Sequence, residues 1–116
     1  NREFRDTSAW YHIVVAFDTT QATSSNRIKV YVNGVQETSF ATATYPSQDF
    51  DTEINNNSIQ TIGSVNGGGD LFDGYMSEVV VVDGQALAPT SFGEFDSDTG
   101  IWKPIDVSGL TFGTIW

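Results

Sequence analysis

The clearest pattern along the chain is an alternation of apolar and polar residues on both sides of an Asn-Gly pair. Arg27–Val32 precedes Asn33-Gly34, and Val35–Phe40 follows it. Because a type I′ turn needs positive φ at both central residues, this pattern predicts an antiparallel hairpin. Its first arm places Ile28, Val30 and Val32 on one face and Lys29 and Tyr31 on the other. We expect one face of the hairpin to be buried and the other solvated.

Two longer apolar runs indicate the main strands. Tyr11–Phe17 is apolar at most positions on both faces, which predicts a central strand that is covered on both sides. Leu71–Val82 predicts a second strong strand, bulged at Gly74. Trp10 and Phe72, at the starts of these runs, are expected in the core.

The remaining segments are shorter. Ile59–Ile62 predicts a brief strand, Leu110–Phe112 another, and Ala88–Phe92 a single helical turn entered through a proline. Ala41–Ser58 is expected to be a long connection between strands. Since no window shows a sustained 3.6-residue apolar period, the predicted class is all-β, an antiparallel β-sandwich.

Size and charge narrow the function. The 116 residues fit a single domain, and the absence of cysteine excludes disulfide scaffolds, zinc fingers and thiol nucleophiles. Five Lys and Arg against fifteen Asp and Glu give a net charge of -10. Such a chain repels nucleic acid and anionic membranes, so neither is expected as a partner. Because the chain starts at Asn1 and not at Met, we expect a mature or excised piece.

Four segments in order resemble the laminin G-like group of concanavalin A-like jelly-roll domains. They are Trp10–Asp18, Val30–Val35, Thr61–Ser64 and Phe72–Val81. The continuation Phe92–Pro104 is similar to jelly-roll proteins of phages and marine environmental sequences. The resemblance implies a concanavalin A-like jelly roll and an extracellular or virion-surface setting.

Only nine residues precede Trp10, where members of this group usually have several strands. Residues 1–116 therefore resemble one partial domain, truncated at its N-terminal side. Half a sandwich would expose an apolar sheet face and unpaired strand edges. We expect either that a second copy covers this face in a homo-oligomer, or that the chain is a fragment of a longer protein.

Catalytic chemistry finds little support in the sequence. The single histidine, His12, lies within a strand and is expected to be a hydrogen-bonded structural residue. Glu94, Asp96 and Asp98 would share a face of one strand, as in glycosidases of the superfamily. No glutamate closes that pattern, and flanking glycines favour a solvated acidic loop. We therefore expect no enzymatic activity.

Calcium is a candidate cofactor, because jelly-roll loops offer the carboxylate and amide oxygens that this hard cation prefers. The candidate metal ligands are Asp70 and Asp73, with Asn66 and Asp18 as further loop oxygens and Asp96 and Asp98 as another pair. Solvated or turn-capping aspartate is the favoured interpretation, because turn chemistry already explains Asp73-Gly74 and Asp83-Gly84 without a metal.

A glycan is the candidate ligand, because sugar sites combine an aromatic platform with nearby polar groups. The candidate residues are Trp102, Tyr45, Tyr75, Asn55, Asn66 and Asp70. The leading hypothesis is a noncatalytic carbohydrate-recognition module. The alternative is a structural or assembly domain that oligomerises through its exposed sheet without a small-molecule ligand.

Overall fold

The computed structural model describes residues 2–54, 57–65 and 68–113. Five strands are present in this part of the chain: β1 (Ile13–Phe17), β2 (Ile28–Val32), β3 (Val35–Gln36), β4 (Gly93–Phe95) and β5 (Trp102–Pro104). Two 3₁₀ turns, Ser24–Asn26 and Pro89–Ser91, complete the regular elements of the described residues. The second of these confirms the helical turn predicted after Ala88. No described helix has the length and apolar character that crossing a bilayer requires.

The first three strands form one antiparallel sheet in the order β1-β2-β3. Val15 pairs with Val30 across β1 and β2, and Val32 pairs with Val35 across β2 and β3. The turn residues Asn33 and Gly34 have φ values of 48° and 77°, as a type I′ turn requires. The predicted hairpin is confirmed, although its second arm is only two residues long.

Strands β4 and β5 form a separate antiparallel hairpin that the sequence did not predict. Its turn begins at Asp96, whose Oδ1 accepts hydrogen bonds from the backbone N–H groups of Asp98 and Thr99. Gly100, at φ 69°, returns the chain into β5. The expected acidic loop is therefore the tip of a hairpin, with Glu94 on its first strand.

The prediction that Tyr11–Phe17 forms a central strand covered on both sides is wrong. Its strand, β1, begins at Ile13 and lies at the edge of the sheet, because β2 takes the centre between β1 and β3. Ile13 and Val15 are 54% and 58% exposed. Among the described hydrophobic residues only Val32, on the central strand, is buried, with 2% of its surface exposed.

The strands predicted at Ile59–Ile62, Leu71–Val82 and Leu110–Phe112 are also absent from the described residues. Apolar composition alone does not make a strand, since the backbone must find a hydrogen-bonding neighbour, and none of these segments pairs into a ladder. Glu78, within the longest of them, has φ 54°, which interrupts extended backbone. Trp10 and Phe72, expected in the core, are exposed. The fold class nevertheless agrees with the prediction, because every ladder is antiparallel.

Candidate functional site

A cavity of about 230 Å³ opens on the polar face of the three-stranded sheet. It is lined by Ala16, Asp18, Gln21, Asn26, Lys29, Tyr31 and the segment Ala86, Leu87 and Ala88. Polar groups with both donor and acceptor capacity thus converge on one concave surface. We name this surface the sheet-face cavity.

Strand register explains why these side chains meet. Ala16 pairs with Lys29, and Val14 pairs with Tyr31, so the four residues share one face of β1 and β2. The small Ala16 leaves room above the sheet beside the larger Lys29 and Tyr31. The opposite wall is formed by Ala86, Leu87 and Ala88, which directly precede the buried Pro89.

Asp18 is held in place by its own loop. Its Oδ1 accepts a hydrogen bond from the Thr20 hydroxyl at 2.7 Å, and its Oδ2 accepts one from the Gln21 side-chain amide at 2.6 Å. These bonds lower the pKa of Asp18, with a smaller contribution from the charge of Lys29. The site therefore presents an oriented carboxylate next to a cation at neutral pH.

Arg27 braces the loops around the cavity. Its guanidinium donates to the backbone carbonyls of Gln21 at 2.8 Å, Ala22 at 3.0 Å and Pro46 at 2.8 Å. A single planar group thus ties the loop after β1 to the loop that follows β3. One of these hydrogen bonds holds the backbone of Gln21, a residue that lines the cavity.

Trp102 joins the two sheets. Its indole N–H donates to Nδ1 of His12 at 2.9 Å, and its ring lies against the backbones of Gly34 and Gly93. Phe95 contacts the same indole edge to face, with ring centroids 4.9 Å apart. The expected hydrogen bond of His12 is present, and Trp102 serves as a packing contact between the hairpins.

The acidic hairpin is arranged as an ion-pair cluster. The Lys103 ammonium lies 3.0 Å from an Asp96 oxygen and 3.4 Å from a Glu94 oxygen. The hydrogen bond from Lys103 and those from Thr99 and Asp98 hold the pKa of Asp96 well below its usual range. A general acid needs a raised pKa, so Asp96 is unsuited to that role in glycoside cleavage.

The ligand residues predicted from the sequence lie elsewhere. Tyr45 is half-buried, Tyr75 is 89% exposed, and Asp70 is exposed. None of these three, nor Trp102, lines the sheet-face cavity. Asn55 and Asn66 lie outside the described residues.

The calcium hypothesis stays a prediction. Asp70 and Asp73 are both exposed, and Asp70 has φ 46°, a conformation common for aspartate in turns. Within residues 2–54, 57–65 and 68–113, no three acidic or histidine side chains are grouped as a metal site would require. Calcium usually takes about six to eight oxygen ligands, so backbone carbonyls and water would have to complete any site there.

Sequence reasoning missed most of the cavity. Two signals were available, because Asp18 was already a candidate loop oxygen for calcium and because Lys29 and Tyr31 were already assigned to the polar face of the hairpin arm. The contribution of Ala86–Ala88 had no such signal, since these residues are about sixty positions away along the chain.

Comparison with known proteins agrees with this architecture. A sequence-family model of the laminin G type, which belongs to the concanavalin A-like lectin/glucanases superfamily, matches residues 2–91. The matched segment contains the three-stranded sheet and every residue of the sheet-face cavity. No curated protein and no solved structure matches the chain significantly.

Proposed function

Because the chain belongs to the concanavalin A-like lectin/glucanases superfamily, we propose that it is a noncatalytic module that binds a neutral carbohydrate in the sheet-face cavity. The observation that carries this proposal is the convergence of Asp18, Asn26, Lys29 and Tyr31 on one concave surface. Membership in the family is compatible with a binding module, and the assignment of ligand and site is ours.

The chemistry of the lining suits sugar hydroxyls. Each hydroxyl both donates and accepts, and the cavity offers the Asp18 carboxylate as acceptor and the Lys29 ammonium as donor. Asn26 and Gln21 carry amides that do both. Tyr31 adds an aromatic surface for the C–H face of a pyranose ring.

Size and charge favour a small neutral ligand. Pockets for drug-sized molecules usually measure about 300–1,000 Å³, so a cavity of about 230 Å³ suits one sugar ring. The net charge of -10 repels sulfated or carboxylated glycans at long range. An uncharged hexose avoids that repulsion and still meets the charged groups of the lining.

The same reasoning supports a role without catalysis. The carboxylates of the β4–β5 hairpin are paired with Lys103, and the sheet-face cavity contains one carboxylate, Asp18. Glycoside hydrolysis generally uses two carboxyl groups on either side of the scissile bond.

We propose an extracellular or virion-surface setting, where glycans are abundant ligands.

A glycan array followed by NMR titration of the full chain tests this function. We expect neutral hexoses to shift the amide resonances of Asp18, Asn26 and Lys29. Tyr31→Ala removes the aromatic surface and should weaken binding at least tenfold. Tyr75→Ala is the matched control, because Tyr75 is 89% exposed and lies outside the cavity. Circular dichroism of both variants verifies that the fold is retained.

Three results would contradict the proposal. One is the absence of saturable shifts with any neutral saccharide at millimolar concentration. Another is binding that Tyr75→Ala removes and Tyr31→Ala leaves intact, which would move the site to the loops around Asp70. A third is release of reducing sugar from an oligosaccharide, which would make the protein an enzyme.

A further inference from the structure

Arg27 differs from the other two arginines of the chain in what its guanidinium binds. Each of the other two forms an ion pair with a glutamate, whereas no ion pair within the described residues involves Arg27. In a chain with fifteen Asp and Glu residues, three nitrogens of this guanidinium donate instead to the backbone carbonyls of Gln21, Ala22 and Pro46. The guanidinium therefore acts on backbone geometry.

Arg27 holds the loop between β1 and β2 at two points. Its backbone carbonyl accepts a hydrogen bond from the Asp18 N–H at 2.8 Å, which closes the loop where β1 ends. Its Nε and Nη2 atoms donate to the carbonyls of Gln21 and Ala22, in the middle of the same loop, at 2.8 Å and 3.0 Å. The two cavity-lining residues Asp18 and Gln21 lie at these two points.

The loop that follows β3 supports the first loop from outside the cavity. The carbonyl of Thr19 accepts a hydrogen bond from the backbone N–H of Asp49 at 3.0 Å. The carbonyl of Thr20 accepts one from the side-chain amide of Gln48 at 3.1 Å. With the two carbonyls that Arg27 binds, four consecutive carbonyls of the loop accept hydrogen bonds from residues outside the cavity.

Gln21 depends on this support, because packing does not hold its side chain. Gln21 is exposed, yet its amide donates to Oδ2 of Asp18 at 2.6 Å. Ordering an exposed, flexible side chain costs entropy, so this contact depends on where the loop places the backbone of Gln21. The Thr20 hydroxyl binds the other carboxylate oxygen locally, from only two residues away. Of the two contacts, the one from Gln21 depends more on Arg27, which holds the Gln21 carbonyl.

We propose that Arg27 is a positioning residue of the sheet-face cavity. It holds the backbone of Gln21 so that the Gln21 amide orients the Asp18 carboxylate toward a sugar hydroxyl. Arg27 does not line the cavity, so it acts through these two residues and does not touch the ligand. This inference rests on the proposed function, because it takes the ligand to be a neutral sugar. A site whose groups are already in place loses less entropy on binding, which strengthens binding.

Arg27→Lys separates the geometry of this side chain from its charge. Lysine keeps the positive charge but has one nitrogen on a flexible stem, so it cannot reach all three carbonyls that the planar guanidinium reaches. Hydrogen bonds from Thr20 and Gln21 lower the pKa of Asp18. NMR titration of the Asp18 carboxyl without ligand should therefore show its pKa rising toward the ordinary value of 3.8 in this variant.

The matched control is Arg5→Lys, the same substitution at an arginine whose side chain is 80% exposed. It should leave the pKa of Asp18 unchanged. Circular dichroism of both variants verifies that the fold is retained.

A double-mutant cycle shows whether Arg27 acts through Gln21. Gln21→Ala removes the side-chain amide but keeps the backbone carbonyl that Arg27 binds. Because Gln21 is exposed, the fold should tolerate this change. If Arg27 and Gln21 act in series, their effects on the pKa of Asp18 are not additive. We expect Arg27→Lys to raise this pKa less than half as much in the Gln21→Ala background as in the original chain.

The original chain also allows a test without substitution. The Nε–H of Arg27 donates to the Gln21 carbonyl, so its hydrogen exchange should be at least tenfold slower than that of the Nε–H of exposed Arg5. Ligand binding is measured by NMR titration with the methyl glycosides of glucose and galactose as neutral probes. Arg27→Lys should raise the dissociation constant at least tenfold, whereas Arg5→Lys should bind like the original chain.

An Asp18 pKa that stays low in Arg27→Lys would overturn the inference, and so would exchange at Arg27 Nε as fast as at Arg5 Nε. Fully additive effects in the cycle would overturn the route through Gln21. Unchanged glycoside binding by Arg27→Lys, with a raised Asp18 pKa, would overturn the role in placing the site for its ligand. The pKa and exchange measurements need no ligand and remain decisive if neither glycoside binds the original chain, an outcome that counts against the proposed function instead.

Discussion

Replacing Trp102 by phenylalanine isolates the hydrogen bond that joins the two sheets. Phenylalanine retains an aromatic ring against Gly34 and Gly93 but has no N–H to donate to Nδ1 of His12. The hydrogen bond from the Trp102 indole to the His12 imidazole connects the β4–β5 hairpin to the residue that precedes β1 of the three-stranded sheet. The variant therefore reports how far that contact stabilises the docking of β4–β5 on the three-stranded sheet.

The expected effect is about 1 kcal/mol at pH 8, the usual net contribution of one hydrogen bond. The smaller ring adds some loss of packing, since the indole also contacts Phe95. Trp102 is half-buried, which keeps that additional loss below the several kcal/mol of a fully buried tryptophan.

The stabilisation that the Trp102–His12 hydrogen bond provides depends on pH, because its acceptor is a titratable imidazole. Burial lowers the pKa of His12 below its ordinary value of 6.5, and the Glu78 carboxylate opposes that shift. A histidine that is hydrogen-bonded as an acceptor must be neutral, so the bond contributes fully above pH 6.5 and is lost as pH falls through the folded-state pKa. The unfolded chain binds the proton first, and stability therefore rises with pH in this window.

Urea denaturation followed by circular dichroism measures the difference between the original chain and Trp102→Phe from pH 8 down to pH 4.5. We expect the difference to shrink as pH falls, because the original chain loses the same bond when His12 is protonated. NMR titration should show a higher pKa for His12 in the variant, since the hydrogen bond stabilises neutral imidazole. Trp10→Phe, at an exposed tryptophan, should change neither quantity.

A difference in unfolding free energy that stays constant between pH 8 and pH 4.5, together with an unchanged His12 pKa, would refute this reasoning. It would mean that Trp102 stabilises the protein through ring packing alone. An equal effect from Trp10→Phe would show that the measurement reports general loss of tryptophan, not the contact with His12.

Two further predictions concern the β4–β5 hairpin. Gly93→Ala places a Cβ 2.6 Å from the indole of Trp102 and should destabilise the fold by about 1–3 kcal/mol in urea denaturation. Gly109→Ala, with open space around it, should be near neutral, and equal losses would contradict the steric argument. Asp96→Asn removes a carboxylate whose pKa is lowered by its hydrogen bond with Lys103. The original chain loses stability as pH falls below about 3.8, because this carboxylate becomes protonated, and the variant should lose less stability over the same pH range. Parallel acid-denaturation curves would contradict this.

Local signals predicted the parts of the fold that depend on neighbouring residues. The Asn33-Gly34 hairpin, the turn at Pro89 and the antiparallel class all follow from turn chemistry and residue preference. The prediction of a strand over Leu71–Val82 was wrong, because a strand needs a neighbouring strand to pair with. The apolar residues of the segment do not show whether such a neighbour is present. The β4–β5 hairpin was missed because its strands are only three residues long.

The amino-acid sequence alone determined the alternation of apolar and polar residues along β2, the tight turn after it, the negative net charge and the concanavalin A-like character of the chain. Tertiary structure decided that β1 lies at an edge, that Trp102 bonds His12 ninety residues away, and that Ala86–Ala88 close a cavity over Lys29. The physical reason is the range of the interactions. Turn geometry acts over two to four residues, whereas sheet order and cavities depend on contacts between distant segments that local patterns do not specify.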